Sequence, residues 1–301
     1  MISVIMLTYN REDFVDRAIK SILAQTLTDF EFIIVDNGSA DRSGAIADEY
    51  AGRDNRVRVI HRTRGNIGAG RNTGLEAAKG EYIAFIDDDD WAEPDFLSFL
   101  YNLAMENSAD VAICGAAAIA FDEKCVMTGE ESLIRLMQRK WYTSAFPAKL
   151  FKRELAGEHL FLEDGKHDDI GSMYKVLAGA RTVAYHGLPK YTFYRHSGNN
   201  SIWTTDHSLL DFETLDEYLN VYRERTTWLC RRFPNSAEPW KYFEWSFMIS
   251  MVEKVNRFGI KGCENLMVKM IRTLRANANA FLNHDMILDF EKEWFQKYIA
   301  E

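Results

Sequence analysis

The alternation of short apolar runs with helical patterns over about the first hundred residues constrains the fold most. Each run is short enough to be a buried strand, and the segments between them carry apolar residues at helical spacing, as Phe14, Ala18 and Ile22 do. Strands joined by helices of about ten residues form a mostly parallel sheet covered by helices. The sequence therefore predicts an α/β fold. The predicted strands are residues 3–8, 30–35, 56–61 and 81–86, and the predicted helices are residues 11–25, 41–50 and 70–79.

Polar residues gather where the predicted strands end. Ligands of open α/β sheets bind outside the carboxyl ends of the strands, so these residues predict a binding site. The carboxylate of Asp36 is suited to accept hydrogen bonds from a base or ribose, whereas an Asx turn before the next helix is the alternative. The four strand ends carry Thr8-Tyr9-Asn10, Asp36-Asn37, His61-Arg62 and Asp87-Asp88-Asp89-Asp90.

The acidic run at residues 87–90 follows an apolar strand directly. Four carboxylates this close cannot all stay ionised without a counter-charge, and a divalent cation supplies one. Mg²⁺ and Mn²⁺ are bound by a few carboxylates together with phosphate oxygens and water. The run predicts a metal site, and a solvated acidic turn is the alternative. The preceding strand, with Trp91 and Pro94 after the run, favours the metal site.

A glycine-rich segment at residues 65–74 nearly matches two phosphate-binding loops. A P-loop would need Lys and Ser or Thr where Arg71 and Asn72 stand, and the glycine spacing also departs from the dinucleotide fingerprint. Neither motif is present. The segment still combines flexible backbone with Arg71 near a helix start, and such a guanidinium can approach phosphate.

Net charge and cysteine content narrow the class of protein. The formal net charge of -9 disfavours sequence-independent binding of nucleic acid, which needs a basic face. The four cysteines form no C-x-x-C pair, so reduced thiols of a cytosolic protein are expected. No signal peptide is evident, and the apolar stretch at residues 111–121 is shorter than the ~20 residues of a membrane helix. These observations predict a cytoplasmic protein without a membrane span.

Four segments in order resemble the family 2 glycosyltransferases, which have the GT-A fold. Residues 3–10 (SVIMLTYN) are similar to that family's first strand, and residues 21–26 (SILAQT) to its first helix. Residues 35–39 (VDNGS) resemble its donor-binding segment, and residues 80–91 (GEYIAFIDDDDW) its metal-binding segment. The resemblance implies a GT-A-type mostly parallel sheet flanked by helices and a nucleotide-sugar donor.

The resemblance also implies roles for individual residues. Asp87 and Asp89 match the acidic positions of the D-x-D motif, and Asp89 is the expected direct ligand of Mn²⁺ or Mg²⁺. Asn37 and Asp88 depart from the family pattern, which often has a second Asp and a small residue there. The residues expected to bind the nucleotide sugar are Thr8, Tyr9, Asn10, Asp36, Asn37, Arg71, Asp87, Asp88, Arg195 and His196.

The second half resembles the family more weakly, just before a predicted helix at residues 170–177. The family has a Glu-Asp pair there whose Asp is the catalytic base, which implies Asp169 as the base, with Asp168 in place of the Glu. Asp164 is the alternative, because it follows Glu163. We prefer Asp169 because the helix follows it. The base takes a proton from an acceptor hydroxyl as that oxygen attacks the anomeric carbon, which inverts its configuration.

The predicted organisation is a catalytic domain at residues 1–205, split into halves at 1–110 and 111–205, and a helical C-terminal extension at 206–301. The resemblance implies a UDP-sugar donor, a glycan or lipid-linked acceptor and bacterial surface-polysaccharide synthesis. The basic, amphipathic tail leaves peripheral docking at the inner face of the membrane open, but an amphipathic helix packed on the enzyme or on a second subunit is the favoured alternative. A homodimer is also open. The rival functions are a metal-dependent phosphohydrolase or nucleotidyltransferase and a non-catalytic GT-A scaffold.

Overall fold

The computed structural model describes residues 1–116, 122–157, 159–163, 167–199, 204 and 206–300. Its contacts divide the chain into two compact units, Met1–Tyr194 and Arg195–Glu301. The first unit holds the sheet and the second is helical. The sequence placed the boundary between domains after residue 205, and the contacts place the boundary between the units after Tyr194.

The first unit is organised around one sheet, in which the described residues form nine strands. β3, β2, β1 and β4 are adjacent and parallel. β8 then lies antiparallel between β4 and β6, and β9 runs parallel to β6 and pairs with β5 and β7. The strands are β1 (Ile2–Thr8), β2 (Phe30–Asp36), β3 (Val57–His61), β4 (Tyr82–Asp87), β5 (Trp91–Ala92), β6 (Val111–Ala116), β7 (Lys124–Met127), β8 (Lys149–Lys152) and β9 (Val183–Thr192).

Helices pack on both faces of this sheet. On one face, Val4 and Met6 of β1 lie in a buried apolar cluster with residues of the first and fourth helices. On the other face, Ile5 packs against the third helix. The helices of this unit are α1 (Val15–Leu23), α2 (Ser43–Ala51), α3 (Ile67–Ala77), α4 (Phe96–Glu106), α5 (Gly129–Gln138) and α6 (Asp168–Gly179). The predicted α/β fold with flanking helices is confirmed.

The glycines of residues 65–74 have a packing role. A Cβ atom on Gly70 would come within 2.3 Å of Leu7 Cδ1, and one on Gly74 within 2.4 Å of Ile5 Cγ2. Residues without side chains let α3 lie close against β1. Gly70 and Gly74, part of the segment that resembles a phosphate loop, therefore allow the close contact between α3 and β1.

The second half of the sheet departs most from the sequence prediction. The sequence also predicts two short strands, at residues 182–185 and 191–195, but the structure has one strand here, β9, which ends at Thr192. β9 includes Pro189, which pairs with Gly115 where the β6–β9 register shifts, and a proline is tolerated in a sheet at such an irregularity. Neither β7 nor β8 was predicted, because each has only four residues and no alternating pattern.

The second unit is a set of packed helices. They are α7 (Phe212–Arg232), α8 (Ala237–Phe258), α9 (Glu264–Ala276), α10 (Ala278–Leu282) and α11 (Asp289–Tyr298). Leu266, Met270 and Leu274 of α9 are buried within the protein, so the apolar stripe of the basic tail packs inward. Among the described residues, no helix combines the length and the apolar character needed to span a membrane.

Candidate active site

The carboxyl ends of three neighbouring strands bring the predicted donor residues together. Thr8 at the end of β1 pairs in register with Asp36 at the end of β2, and Leu7 pairs with Asp87 at the end of β4. Adjacent strands lie about 4.8 Å apart, so the residues that follow these ends share one edge of the sheet. We call this edge, formed by Thr8, Asp36 and residues 87–90, the donor edge.

Asp36 is buried and doubly held. Its Oδ1 atom accepts a hydrogen bond from the Ser39 backbone N–H at 3.0 Å, and its Oδ2 atom lies 2.9 Å from Nδ1 of His61. The hydrogen bond to Asp36, followed by a second bond to Asp48, raises the pKa of the His61 imidazole. A Cβ atom at position 44 would come within 2.6 Å of Asp36 Oδ2, so Gly44 leaves room for this carboxylate.

Asn37 fastens the loop that precedes α3. Its Nδ2 atom donates to the Gly65 carbonyl at 2.8 Å, and its Oδ1 atom accepts from the Gly65 N–H at 3.3 Å. The Asn37 backbone N–H donates to the Thr8 carbonyl at 2.9 Å. The side-chain amide of Asn37 therefore holds this loop in place. Its contact with a nucleoside stays a prediction.

The loop after β1 connects Asp36's turn with the acidic run. Asn10 adopts a positive φ of 51°; its backbone N–H donates to Ser39 Oγ at 3.1 Å, and its side-chain oxygen accepts from Ala40 N–H at 2.8 Å. The Tyr9 N–H donates to Asp88 Oδ2 at 3.2 Å, and the Arg64 guanidinium lies 4.7 Å from the Tyr9 ring centroid. Backbone and side chains of residues 8–10 are therefore fixed at the donor edge.

The four carboxylates of the acidic run have different surroundings. Asp88 also lies 3.8 Å from Arg11 Nε. Asp90 accepts hydrogen bonds from the Tyr191 hydroxyl and the Tyr194 N–H, both at 2.8 Å. Burial, followed by repulsion from neighbouring carboxylates, raises the pKa of Asp88 to about 7 and that of Asp90 to about 8. Without a further counter-charge, the run therefore does not hold all four carboxylates ionised near pH 7.

Arg71 bridges the donor edge and the start of α6. Its Nη2 atom donates to Asp87 Oδ1 at 3.1 Å, and its Nη1 atom donates to Asp168 Oδ2 at 2.7 Å. The guanidinium lies 5.5 Å from the Phe161 ring centroid and is almost fully enclosed. Burial opposes its charge, but the carboxylates of Asp168 and Asp87 outweigh that effect and raise the pKa of Arg71.

The two acidic residues that begin α6 differ in exposure and partners. Asp168 is 6% exposed and is engaged by Arg71. Asp169 is partly exposed; its Oδ1 atom accepts from the Ile170 N–H at 2.7 Å, and its Oδ2 atom accepts from Ser144 Oγ at 3.3 Å. The alternative base, Asp164, lies outside the described residues.

Arg195 and His196 belong to the second unit. The His196 N–H donates to the Asn199 side-chain oxygen at 2.6 Å, which is a local contact within a turn. Their predicted role at the diphosphate stays a prediction.

Asp87 and Asp89 have the chemistry to share a divalent cation. Both offer carboxylate oxygens, the ligands that Mg²⁺ and Mn²⁺ prefer, and a bound cation would favour the ionised form of the run's carboxyls. Across the described ranges, no cluster of three or more His, Cys, Asp or Glu residues is arranged to hold a metal. Binding of a cation by Asp87 and Asp89 stays a prediction.

Several residues around the site escaped the sequence analysis. Asn72 is 2% exposed and holds the segment before α6, because Nδ2 donates to the Phe161 carbonyl at 2.9 Å and Oδ1 accepts from the Phe161 N–H at 3.1 Å. The guanidinium of Arg17 lies 4.4 Å from the ring centroids of both Trp91 and Tyr194. The sequence signal for the Arg17 contact was the presence of two aromatic residues, Trp91 next to the acidic run and Tyr194 directly before Arg195.

The α/β sheet with flanking helices and polar residues at its carboxyl edge is the arrangement expected of a glycosyltransferase with a GT-A fold. The chain matches the family model described as Glycosyl transferase family 2 over residues 3–155. This protein therefore belongs to glycosyl transferase family 2, and the resemblance seen in the sequence is confirmed.

Individual relatives differ in how much of the chain they match. The uncharacterized glycosyltransferase EpsJ of Bacillus subtilis is 45% identical over 115 residues, which cover 38% of this chain and 33% of EpsJ. The match thus spans only about a third of EpsJ's length. The glycosyltransferase GlyG of Streptococcus pneumoniae is 33% identical over 229 residues, which cover 69% of this chain and 75% of GlyG.

Solved structures support the same fold. The crystal structure of Staphylococcus aureus TarS 1-349 in complex with UDP-GlcNAc superimposes with a TM-score of 0.71 at 20% identity. The match covers 93% of this chain and 81% of the TarS chain. At this level of identity the likeness establishes the fold.

Proposed function

We propose that this protein transfers a sugar from a nucleoside-diphosphate sugar, with a UDP-sugar as first choice, to a hydroxyl of a glycan or lipid-linked acceptor. Family membership supports sugar transfer. The TarS structure contains UDP-GlcNAc in the same fold, which favours a uridine donor. The ordered carboxylates and backbone groups at the ends of β1, β2 and β4 supply the polar surroundings that a nucleotide needs.

The observation that carries the proposed mechanism is the contrast between Asp168 and Asp169. Arg71 engages Asp168, whereas Asp169 is partly exposed and keeps lone pairs available for a proton. Asp169 removes the proton from the acceptor hydroxyl, and that oxygen forms a bond to the anomeric carbon. The bond from this carbon to the diphosphate breaks on the opposite face, so the configuration inverts.

Asp87 and Asp89 would hold Mn²⁺ or Mg²⁺. When bound, the cation would neutralise negative charge on the departing diphosphate. Arg71 contributes from the protein side by keeping Asp87 and Asp168 in fixed positions. Backbone hydrogen bonds from Tyr9 to Asp88 and from Asn10 to Ser39 fix the loop after β1 beside these carboxylates.

The donor site is tested by thermal shift with UDP-, GDP- and dTDP-sugars, each with MnCl₂ and with EDTA. We expect one nucleotide class to raise Tm only when Mn²⁺ is present, and Asp89→Ala to abolish that rise. Stabilisation by no nucleotide sugar would contradict the proposal. Release of free sugar or inorganic phosphate, in the absence of transfer to any acceptor, would favour a hydrolase.

The base is tested by comparing Asp169→Asn with Asp164→Asn as the matched control. Loss of a general base typically costs about 10²- to 10⁴-fold in rate, so we expect Asp169→Asn to lose kcat on that scale while it still binds the donor. Asp164→Asn should keep kcat within a few-fold of wild type. The reverse pattern would move the base to Asp164.

A further inference from the structure

Lys149, the first residue of β8, carries a charge in an enclosed position. Only 2% of its surface is exposed, and its Nζ atom donates to the backbone carbonyl of Ala145. The ring of Tyr142 lies 5.9 Å away. Enclosing an ammonium group is unfavourable unless charge or hydrogen bonds compensate it, and an apolar side chain would fill this space at lower cost.

The carbonyl that Lys149 binds belongs to the segment that contacts Asp169. Ser144 directly precedes Ala145, and its hydroxyl donates to Asp169 Oδ2 at 3.3 Å. Lys149 and Asp169 are therefore tied to two consecutive residues of one short segment. This segment lies between α5 and β8, outside any regular element, so the two side-chain contacts help to fix its path.

The charges around Lys149 single out Asp169. Burial lowers the pKa of Lys149 to about 8, and Cys114 on β6 and Asp169 on α6 are the groups that oppose this effect. Burial raises the pKa of the Cys114 thiol to about 12, so the thiol is neutral near pH 7. Asp169 is then the negative charge that compensates Lys149. Asp169 itself also faces Asp168 of α6 and Arg71 of α3.

We propose that Lys149 and Ser144 are positioning residues that hold Asp169 for proton removal from the acceptor. Lys149 anchors the segment through the Ala145 carbonyl and contributes a positive charge that acts on Asp169, and Ser144 holds the Asp169 carboxylate directly. This inference rests on the proposed role of Asp169 as the base.

A double-mutant cycle on Tm tests the charge pairing without any substrate. The variants are Lys149→Met, Asp169→Asn and their combination, with Lys152→Met as control. Lys152 lies on the same strand but pairs with Asp110 at 2.8 Å. We expect Asp169→Asn to lower Tm more in the presence of Lys149 than in its absence, with a non-additivity of at least about 2 °C. The cycle with Lys152→Met should be additive, and additivity in both cycles would overturn the pairing.

Kinetics test the positioning itself, as acceptor-dependent UDP release from UDP-GlcNAc with MnCl₂ across pH 5 to 9. We expect Lys149→Met to lower kcat by about ten- to a hundredfold with an unchanged donor KM, because small displacements of a catalytic group are costly. The acidic limb of the kcat/KM profile should move to higher pH, since the positive charge of Lys149 is lost. Ser144→Ala, which removes only a hydroxyl, should lower kcat in the same direction, and Ser144→Thr should restore part of it.

The outcomes separate this inference from the proposed function. Substantial kcat in Asp169→Asn would refute the base itself. An inactive Asp169→Asn together with wild-type kcat and pH profiles in Lys149→Met and Ser144→Ala would refute only the positioning role. Should Lys149→Met fail to fold, Ser144→Ala decides the kinetic question, and Lys149→Gln replaces it in the cycle.

Discussion

The donor edge and the surroundings of Asp169 are held in different ways. At the donor edge, Asp36 and Asp90 each accept hydrogen bonds from two groups of the protein. Asp169 is held by a neighbouring backbone N–H and by one hydroxyl at 3.3 Å. A rigid set of carboxylates suits the binding of a nucleotide, whereas a base has to keep lone pairs open for a proton. Each of the three carboxylates has two donors, but the bonds from other parts of the chain are 2.8–2.9 Å long at Asp36 and Asp90 and 3.3 Å long at Asp169, so the base is held less closely than the donor edge.

Arg71 is the direct link between these two regions, and replacing it should have the largest effect. Arg71→Met leaves the buried carboxylate of Asp168 without its partner, and breaking such a buried pair costs about 3–5 kcal/mol. We expect a large fall in Tm and a loss of Mn²⁺-dependent stabilisation by the donor, both measured by thermal shift. Arg71→Lys keeps the charge but cannot form both hydrogen bonds, so it should recover only part of the stability.

Arg11→Met is the matched control for Arg71. Arg11 also faces the acidic run, but its Nε atom lies 3.8 Å from Asp88 Oδ1. Its removal should cost less than the removal of Arg71, because this spacing is too long for a hydrogen bond. Equal losses for Arg11→Met and Arg71→Met would mean that the link between the two regions has no special importance.

The difference between the two regions also explains what the sequence could reveal. The donor edge was predicted because β1, β2 and β4 are uniform apolar runs followed at once by polar residues. The contacts that fix Asp90 join residues more than a hundred positions apart, and no local pattern reports them. Lys149 escaped prediction because β8 is a four-residue strand with a lysine at each end, which resembles a surface segment.

Arg17 offers a perturbation that should affect the donor edge alone. Its guanidinium lies between the rings of Trp91 and Tyr194, and its Nη2 atom donates to the backbone carbonyl of Asp89. Two cation–π contacts in a partly buried setting are together worth about 1–2 kcal/mol. We expect Arg17→Leu to lower Tm accordingly and to weaken Mn²⁺-dependent donor binding, while the pH profile of kcat is unchanged.

Lys20→Met, on the same helix, is the control for Arg17. Lys20 pairs with Asp16 at 2.7 Å on the surface, and exposed pairs of this kind contribute little to stability because water screens them. A shift in the pH profile of kcat in Arg17→Leu would show that the acidic run and Asp169 are coupled. The donor edge and the surroundings of Asp169 would then not behave as separate regions.

Replacing His61 should give the smallest effect. Because His61 is bonded to Asp36, the pH dependence of this effect tests how Asp36 is held at the donor edge. Its folded-state pKa is raised, first by the bond to Asp36 and then by the bond to Asp48. Stabilisation from such a group is fully present below the ordinary pKa of about 6.5 and is lost as pH rises through the raised value. The imidazole is half exposed, so the contribution stays below about 1 kcal/mol. We expect Tm of wild type to exceed that of His61→Gln near pH 5.5 and the gap to close by about pH 9. A gap that stays constant with pH would show that the imidazole charge does not stabilise this side of the edge, leaving the Ser39 N–H as the contact that fixes Asp36.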